Sequence, residues 1–431
     1  EEMKTRPYQI LSTLHNLHVY FKQNSDFDGF DQNKNTLKWV TDNNLLGSTE
    51  LWLLSKLQQL IADVTQAFVR CRFHEAAKAI DAFIINHMSQ TYVPLTRNII
   101  WDDTLENHDR RLTVYSVLAH VLIQLNVMLH PLSPFITEYL YVTCFSSSRK
   151  SILLESWPRP DLKFVNPKVE SAFDRIKDIV SLANAARNIA GLKRRWPVKE
   201  IIICGPHLSS LDIEGTHDVL KTQLNAAEYK LADVLTTGSQ LEKVASLLDR
   251  NMPISVTADL NRRIIAPRVK ADINKIAQSF VPVDKLEVVR SLQEYGTYTL
   301  AYNDKMVELS PQDVEVTYKA LDGYAYSERD GLIVFVSTSR EKGLAMKGLL
   351  RDLARHLQQL RKERQYNPTD TLNAAHIAGL DTEEIESLSA MNDEMTYLVR
   401  VKNVELTKGA TADVSYKVIE IDGREFRISV E

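Results

Sequence analysis

Cysteine is scarce in this sequence, and the few cysteines lie far apart. Cys71, Cys144 and Cys204 are the only three in 431 residues. At such spacing they indicate neither a disulfide framework nor a zinc site of the Cys-x-x-Cys type. The absence of both favours a reducing environment, so we expect the protein in the cytoplasm.

Long apolar runs are missing as well. No stretch approaches the roughly 20 consecutive apolar residues of a membrane span, and the opening EEMKTRPYQI does not have the pattern of a signal peptide. We therefore expect no membrane partner. The sequence lacks an initiator Met and begins in an apparent helix, which indicates a piece of a longer polypeptide.

Neither charge nor the usual catalytic motifs point to a particular chemistry. With 52 Lys and Arg against 56 Asp and Glu the net charge is −4, so nucleic-acid binding would require a local basic patch. There is no glycine-rich phosphate loop of either standard spacing and no paired-histidine signature. We predict no catalytic residue, no metal ligand and no cofactor within this chain.

From Ser48 to about Trp157 the apolar residues recur every three or four positions, as in packed helices. Ser48 and Thr49 are placed where an N-cap belongs, Pro134 falls at a first helical position, and Gly191 marks the end of the last long helix. Short connections between such helices favour an antiparallel bundle. The first of these helices carries its apolar face on Leu53, Leu57, Leu60, Ile61, Val64, Phe68 and Cys71.

After Pro197 the pattern changes to short strands and helices. VKEIIICG and EYKLADVLT are typical of strands, and Asp330-Gly331 is typical of a turn between strands. The predicted fold class is multidomain, with an all-α helix bundle followed by an α+β C-terminal extension. The predicted domains are a helical link over 1–46, the helical bundle over 47–196, an α+β junction domain over 197–290 and a C-terminal α+β domain over 291–431.

Basic residues with aromatic neighbours are the best functional candidates. Guanidinium groups bind phosphates bidentately, and aromatic rings provide platforms for unstacked bases. For each cluster alone, helix-end charges beside a packing tryptophan are the favoured alternative. Several clusters on one bundle, with a further basic run in QLRKERQYNP, favour RNA. The candidate RNA-binding residues are Arg70, Arg72, Arg97, Trp101, Arg110, Arg111, Arg187, Lys193, Arg194, Arg195 and Trp196.

Several segments also carry a family resemblance. WLLSKLQQLIADVTQAFVRCRFHEAAKAIDAFIINHMSQTYVPLTRNIIW, LIQLNVMLHPLSPFITEYLY and SILLESWP together resemble the anticodon-binding helical domain of class I aminoacyl-tRNA synthetases. HPLSPFITEYLY corresponds to the Pro-Phe-x-x-Glu segment shared by the isoleucyl, valyl and leucyl enzymes. NAARNIAGLKRRWPVKEIII is similar to the junction segment of isoleucyl-tRNA synthetases. The resemblance covers essentially the whole chain and is strongest to the isoleucyl enzymes.

Departures from the family pattern limit what the resemblance implies. The chain lacks the cysteine zinc module that ends bacterial isoleucyl enzymes, so it is similar to the archaeal and eukaryotic type. It lacks both class I ATP-binding signatures, His-Ile-Gly-His and Lys-Met-Ser-Lys-Ser. The resemblance therefore implies the C-terminal part of a synthetase, with ATP and Mg²⁺ acting in a catalytic domain outside this chain. Bacterial relatives are also richer in Arg where this chain has YVPLTRNIIW.

The resemblance implies binding of the anticodon arm of an isoleucine tRNA, so that a full-length isoleucine–tRNA ligase can aminoacylate it. This chain alone would be inactive. The bundle would dock along the stem, while Lys193, Arg194 and Arg195 would contact the RNA backbone where bundle and extension meet. Trp196 is either a packing anchor or a base platform, and the anchor is favoured.

The other expected partners are the catalytic and editing domains of the same polypeptide, and we expect a monomer. Two alternatives stay open. One is the tRNA-binding part of a valyl or leucyl relative, and the other is a non-catalytic protein-interaction module.

Overall fold

The computed structural model describes residues 2–145, 150–206, 208–367, 369–409 and 415–431, with side chains from Tyr8 onward. The chain divides into two compact units. The first comprises Glu1–Ile176, Ser210–Gln223 and Arg361–Leu372, and the second comprises Lys177–Ser209, Leu224–Leu360 and Asn373–Glu431. The division into four domains expected from the sequence stays a prediction.

Up to Pro197 the described residues form helices and loops and contain no strand. From Val198 onward strands and helices alternate, so the predicted mixture of a helical part and a part with sheets is confirmed. The α-helices before the first strand are Glu2–Phe27, Leu37–Asp42, Ser48–Val69, Phe73–Ala82, Val93–Trp101, His108–Leu129, Pro134–Phe145 and Pro167–Ile189, with a π-helical stretch Phe83–Tyr92 and 3₁₀ turns Ile152–Leu154 and Leu162–Phe164.

The helices of the first unit share one apolar core. The ring of Trp52 stacks on that of Phe173 with centroids 5.1 Å apart and planes 11° apart. Leu57 on the same helix as Trp52 is completely buried, and burying such a side chain contributes about 1.5–3 kcal/mol. The apolar face predicted for Ser48–Val69 is thus confirmed, except that Cys71 lies beyond the helix end, exposed, with φ of +55°.

Among the described helices, His108–Leu129 is the one that is long and apolar enough to cross a membrane, judged by length and composition alone. However, 78% of its most apolar window is buried inside the protein. Leu118 and Leu122 at its centre are fully buried. A helix that is apolar on all sides and enclosed by protein is typical of a core position.

The helix ends agree with the sequence at two of the places predicted. Pro134 is the first residue of its helix. Gly191 has φ of +64°, and the N–H of Leu192 donates to the carbonyl oxygen of Arg187 at 2.8 Å. This six-to-one bond with a left-handed glycine is the Schellman closure of a helix.

The predicted N-cap at Ser48 or Thr49 is wrong. Ser48 is already the first helical residue, and Gly47 occupies the cap position. The N–H of Gly47 donates to Oε2 of Glu50 at 3.1 Å. The carboxylate of the third helical residue therefore satisfies the cap N–H, and a glycine needs no cap side chain of its own there.

The strands from Val198 onward form two four-stranded sheets and two two-stranded sheets. The strands are Val198–Gly205, Ala226–Asp233, Ile254–Leu260, Tyr298–Tyr302, Lys305–Leu309, Val314–Ala320, Tyr324–Arg329, Leu332–Ser337, Leu372–Ala378, Val401–Thr407, Lys417–Ile421 and Arg424–Val430. The helices among them are Thr216–Leu224, Gln240–Asp249, Arg262–Val269, Ile273–Phe280, Lys285–Tyr295, Lys342–Glu363, Thr382–Ser389 and Asn392–Val399, with 3₁₀ turns Leu208–Leu211 and Lys270–Asp272.

The strand predicted from VKEIIICG is central in its sheet. Val198–Gly205 pairs in parallel with Ala226–Asp233 and antiparallel with Leu332–Ser337, which in turn pairs with Tyr324–Arg329. The residues joining the last two strands are Asp330 and Gly331, with φ of 49° and 76°. Positive φ at both positions is the requirement of a type I′ hairpin turn, so that predicted turn is confirmed.

Candidate nucleic-acid interface

Arg70 and Arg72 follow the helix Ser48–Val69 and are exposed. Arg72 forms an ion pair with Glu75, Nη1 to Oε1 at 3.2 Å, whereas the guanidinium of Arg70 forms no hydrogen bond or ion pair with the residues described. Phe73 beside them is 49% exposed. Two exposed guanidinium groups next to an accessible ring are a suitable surface for a nucleic-acid backbone and base.

Arg97 and Trp101 belong to the helix Val93–Trp101. Arg97 is exposed and Trp101 is half-buried. Burial raises the pKa of Tyr20 to about 12, and the positive charge of Arg97 opposes that rise. Arg97 therefore lies near the Tyr20 hydroxyl while its own side chain reaches the surface.

Arg110 has a structural partner. Its Nη2 lies 2.7 Å from Oε2 of Glu50, a carboxylate with no solvent exposure. Tyr92 also donates its hydroxyl to Glu50 at 3.3 Å. Removing one partner of a buried ion pair leaves an uncompensated charge. The first role of Arg110 is therefore to neutralise Glu50.

Arg111 is buried and cannot reach an RNA. Its Nε and Nη2 donate to the two oxygens of Asp28 at 2.9 and 3.0 Å, and Nη1 donates to the carbonyl oxygen of Thr104 at 2.8 Å. Tyr115 donates to the same carboxylate at 2.7 Å. Burial and then Asp28 raise the pKa of Tyr115. The interpretation of Arg111 as an RNA contact is corrected to a bidentate ion pair in the core of the first unit.

Arg187 is likewise buried, in the second unit. It donates to the carbonyl oxygens of Trp196 at 2.8 Å, Leu224 at 2.8 Å and Asn225 at 2.9 Å. Burial, with the charge of Arg194 second, lowers its pKa to about 10. Arg187 thus holds three backbone oxygens rather than a phosphate, and its candidate role is corrected accordingly.

Lys193, Arg195 and Trp196 converge on one carboxylate, Asp352, in the helix Lys342–Glu363. The side chain of Asp352 is only 3% exposed. Burial raises the pKa of Asp352, but hydrogen bonds from Trp196 and Lys193 outweigh burial and lower it. The indole of Trp196 also packs against Gly348 of the same helix. These contacts are those of a packing anchor rather than of an open base platform.

The guanidinium of Arg194 forms no hydrogen bond or ion pair among the described residues, and the residue is exposed. Further cations lie near this loop. Burial lowers the pKa of His356, and the charges of Arg355, Arg195 and Lys417 lower it further, while the charge of Asp352 opposes them. Arg351 donates to the carbonyl oxygen of Arg195 at 3.3 Å. We call Lys193, Arg194, Arg195, Arg351, Arg355 and Lys417 the seam patch.

Half of the seam patch was not predicted from the sequence. Arg351 and Arg355 stand one helical turn apart, so they share a face of their helix. That spacing is visible in GLLRDLARHL, but nothing local connects it with the loop at Arg194. Lys417 begins a strand far along the chain and carried no signal.

Comparisons with known proteins connect this geometry with a family. Residues 50–203 match the family described as the anticodon-binding domain of tRNA ligase. Every RNA-binding candidate predicted from the sequence lies inside the matched segment 50–203, whereas Arg351, Arg355 and Lys417 lie outside it.

The chain is also similar along its length to isoleucine–tRNA ligases. It is 28% identical to that of Thermoplasma acidophilum over 98% of this chain and 37% of the relative. The ligase of Methanopyrus kandleri is 27% identical over 98% of this chain and 37% of the relative. The ligase of Clostridium tetani is 24% identical over 100% of this chain and 39% of the relative. The expected resemblance to isoleucyl-tRNA synthetases is confirmed. The chain spans little more than a third of the length of these curated relatives.

Proposed function

We propose that this chain binds the anticodon arm of an isoleucine tRNA, as the C-terminal part of an isoleucyl-tRNA synthetase. The observation that carries the proposal is the match of residues 50–203 to an anticodon-binding domain. Similarity to isoleucine–tRNA ligases over 98% of the chain supports isoleucine as the amino acid. In the full-length enzyme, this binding would place the acceptor end of the tRNA in the catalytic domain.

The chain alone would neither activate isoleucine nor form aminoacyl-tRNA, since ATP and Mg²⁺ would act in the catalytic domain outside it. In the part of the chain that is described, no group of three or more His, Cys, Asp or Glu side chains could hold a metal ion. The other proposed partners are the catalytic and editing domains of the same polypeptide. We further propose a monomer in the cytoplasm.

The helical part would act as an all-α bundle over 47–196 that docks along the anticodon stem. The remaining proposed domains are the link over 1–46 and α+β domains over 197–290 and 291–431. Exposed cations of the first unit, Arg70, Arg72 and Arg97, would neutralise phosphates and release counterions. In the second unit the seam patch would do the same. Arg111 and Arg187 are left out because their donors are used inside the protein.

A binding titration tests the proposal. Fluorescently labelled isoleucine tRNA is titrated with the chain at several salt concentrations, beside the same tRNA with its anticodon replaced. We expect tighter binding to the native anticodon and a linear fall of log K with log salt, because phosphate contacts release counterions. Equal affinity for a valine or leucine tRNA would instead favour a relative with another specificity.

A second candidate function rests on a separate observation. The helix Pro134–Phe145 exposes Phe135 at 91%, Tyr139 at 58% and Val142 at 41%, at spacings that share one helix face. An exposed apolar stripe of this kind is typical of protein-interaction surfaces. Absence of tRNA binding at low salt in the same titration would favour a protein-interaction module and reject the proposed function.

A further inference from the structure

One buried carboxylate organises the basic loop 193–196. Asp352 accepts hydrogen bonds from Nε of Arg195 at 3.0 Å, from Nε1 of Trp196 at 2.8 Å and from Nζ of Lys193 at 3.3 Å. A buried carboxylate requires such donors, since its desolvation is otherwise costly. The carboxylate in turn fixes where three functional side chains of the loop can lie.

The contact leaves the phosphate-binding part of Arg195 available. Only Nε is engaged, and the described residues supply no hydrogen-bond acceptor to Nη1 or Nη2. The Arg195 side chain is 44% exposed. The terminal nitrogens of a guanidinium form the fork that binds two oxygens of one phosphate. A guanidinium held at Nε keeps that fork in one orientation.

The backbone of the loop is held independently. Nδ2 of Asn225 donates to the carbonyl oxygens of Arg194 at 3.1 Å and Arg195 at 2.9 Å. Arg351 donates from Nη1 both to the carbonyl oxygen of Arg195 and to Oδ1 of Asn225. None of these hydrogen bonds involves Asp352, so the effects of Asp352 and of loop folding can be separated.

The charge around Arg195 favours a polyanion. In the basic loop, Lys193 pairs with Asp352 and with the half-exposed Asp422 at 2.6 Å, and Arg195 pairs with Asp352. Arg194 and Arg355 form no ion pair with the residues described. These two guanidinium groups are therefore available to an anion with several charges.

We propose that Asp352 is a positioning residue that presents the guanidinium fork of Arg195 to a backbone phosphate of the bound RNA. This inference rests on the proposed function. Asp352 would not touch the RNA itself. Its contribution would be preorganisation, since an Arg side chain already held in its binding orientation loses less rotamer freedom when the phosphate binds.

The test is a double-mutant cycle in the full chain with labelled isoleucine tRNA. Asp352→Asn keeps the shape of the side chain but loses its charge, and Arg195→Ala removes the fork. We expect Asp352→Asn to weaken binding roughly five- to tenfold. In the Arg195→Ala background, Asp352→Asn should cause no further loss, because the residue acts through Arg195. Full additivity of the two losses would overturn the proposal.

The salt dependence distinguishes positioning from a general loss of stability. Asp352→Asn should lower the slope of log K against log salt by nearly one phosphate contact, about 0.7–0.9. An unchanged slope at unchanged affinity would also overturn the proposal. If Asp352→Asn does not fold, as judged by its circular dichroism, Arg195→Lys provides the deciding measurement. Lys keeps the charge without the fork, so binding as tight as wild type would reject a positioned guanidinium.

The matched control is Asp422→Asn. Asp422 pairs with Lys193 but not with Arg195, so this variant should bind tRNA at least as tightly as wild type. The wild-type titration separates the two proposals. If wild type fails to bind tRNA at low salt, the proposed function is rejected. If wild type binds and the cycle is additive, only the role of Asp352 is rejected.

Discussion

Trp196 lies so close to Gly348 that a Cβ added at residue 348 would stand 2.5 Å from Cδ2 of the indole. Gly348 lies inside the helix Lys342–Glu363, where glycine is less favourable than alanine by about 1 kcal/mol. The absence of a side chain at this helical position allows the ring to pack directly against the helix. The pair therefore connects the end of the basic loop with the helix that carries Asp352.

Gly348→Ala should displace Trp196 and loosen the loop. The added methyl group meets ring atoms rather than the end of a flexible chain, so overpacking should cost about 1–3 kcal/mol in place of the helix-propensity gain. Hydrogen–deuterium exchange of the peptides covering residues 192–198 is the measurement. We expect faster exchange there than in wild type.

Gly343→Ala is the matched control, because a Cβ at Gly343 meets no atom within 4 Å. It is the second residue of the same helix, so alanine should gain less there than the roughly 0.5–1 kcal/mol of a mid-helix position, and the variant should be at least as stable as wild type. If Gly348→Ala and Gly343→Ala showed the same hydrogen–deuterium exchange over residues 192–198, the packing of Trp196 would not require a glycine at position 348.

The sequence predicted the loop, but not its partner. A helix end, three cations, Trp196 and Pro197 are local features, and local features predict a junction. Asp352 lies 156 residues from Trp196, and a single acidic residue in an amphipathic helix is normally solvated. The one available signal was Gly348, since a glycine inside a helical pattern often marks a close approach. What approaches it is decided by tertiary packing.

The same limit applies to the arginines. Arg110 and Arg111 are neighbours in sequence, yet only Arg111 is fully enclosed, because its position on the helix faces Asp28, 83 residues away. In the same way, Arg187 is buried whereas Arg194 is exposed. Residue type and spacing predicted where cations cluster, whereas their burial depends on partners that no local pattern identifies. The core face of Ser48–Val69 was predictable because it repeats over many residues.

Arg111→Ala should strongly destabilise the first unit. It leaves the carboxylate of Asp28 buried without its cation, a change that costs about 3–5 kcal/mol. Urea unfolding followed by tryptophan fluorescence reports this unit, because it contains Trp39, Trp52, Trp101 and Trp157. Arg70→Ala removes the same charge at an exposed position and should change stability by no more than about 0.5 kcal/mol. Similar losses in both variants would contradict the assigned roles.

Arg194→Ala should weaken tRNA binding without changing stability. Its guanidinium is exposed and unpaired among the described residues, so its only expected contribution is to an anion outside the chain. Together with Arg195→Ala the loss should reach roughly 1–3 kcal/mol, with a flatter salt dependence. Lys342→Ala removes an 87% exposed cation paired with Glu383. This control should leave the affinity for tRNA and its salt dependence unchanged. An unchanged salt slope in the double variant would remove the loop from the interface.

His18 should make the first unit less stable in mild acid. The imidazole has no solvent exposure, its Nδ1 lies 2.8 Å from the carbonyl oxygen of Leu14, and its Nε2 lies 2.9 Å from Nδ2 of Asn126. Since the amide of Asn126 donates to Nε2, the neutral ring carries its proton on Nδ1. Burial lowers the pKa of His18 to about 4, below the ordinary value of about 6.5.

Because the unfolded chain takes up this proton at a higher pH than the folded chain, the stability contribution is complete above pH 6.5. It falls progressively to pH 4, by up to about 3 kcal/mol. In His18→Gln the free energy of unfolding, measured by urea titration at each pH, should lose this part of its pH dependence. His74→Gln replaces a histidine that is 72% exposed and should follow the wild-type curve. Parallel curves for wild type and His18→Gln would mean that the buried imidazole accepts its proton without opening the core.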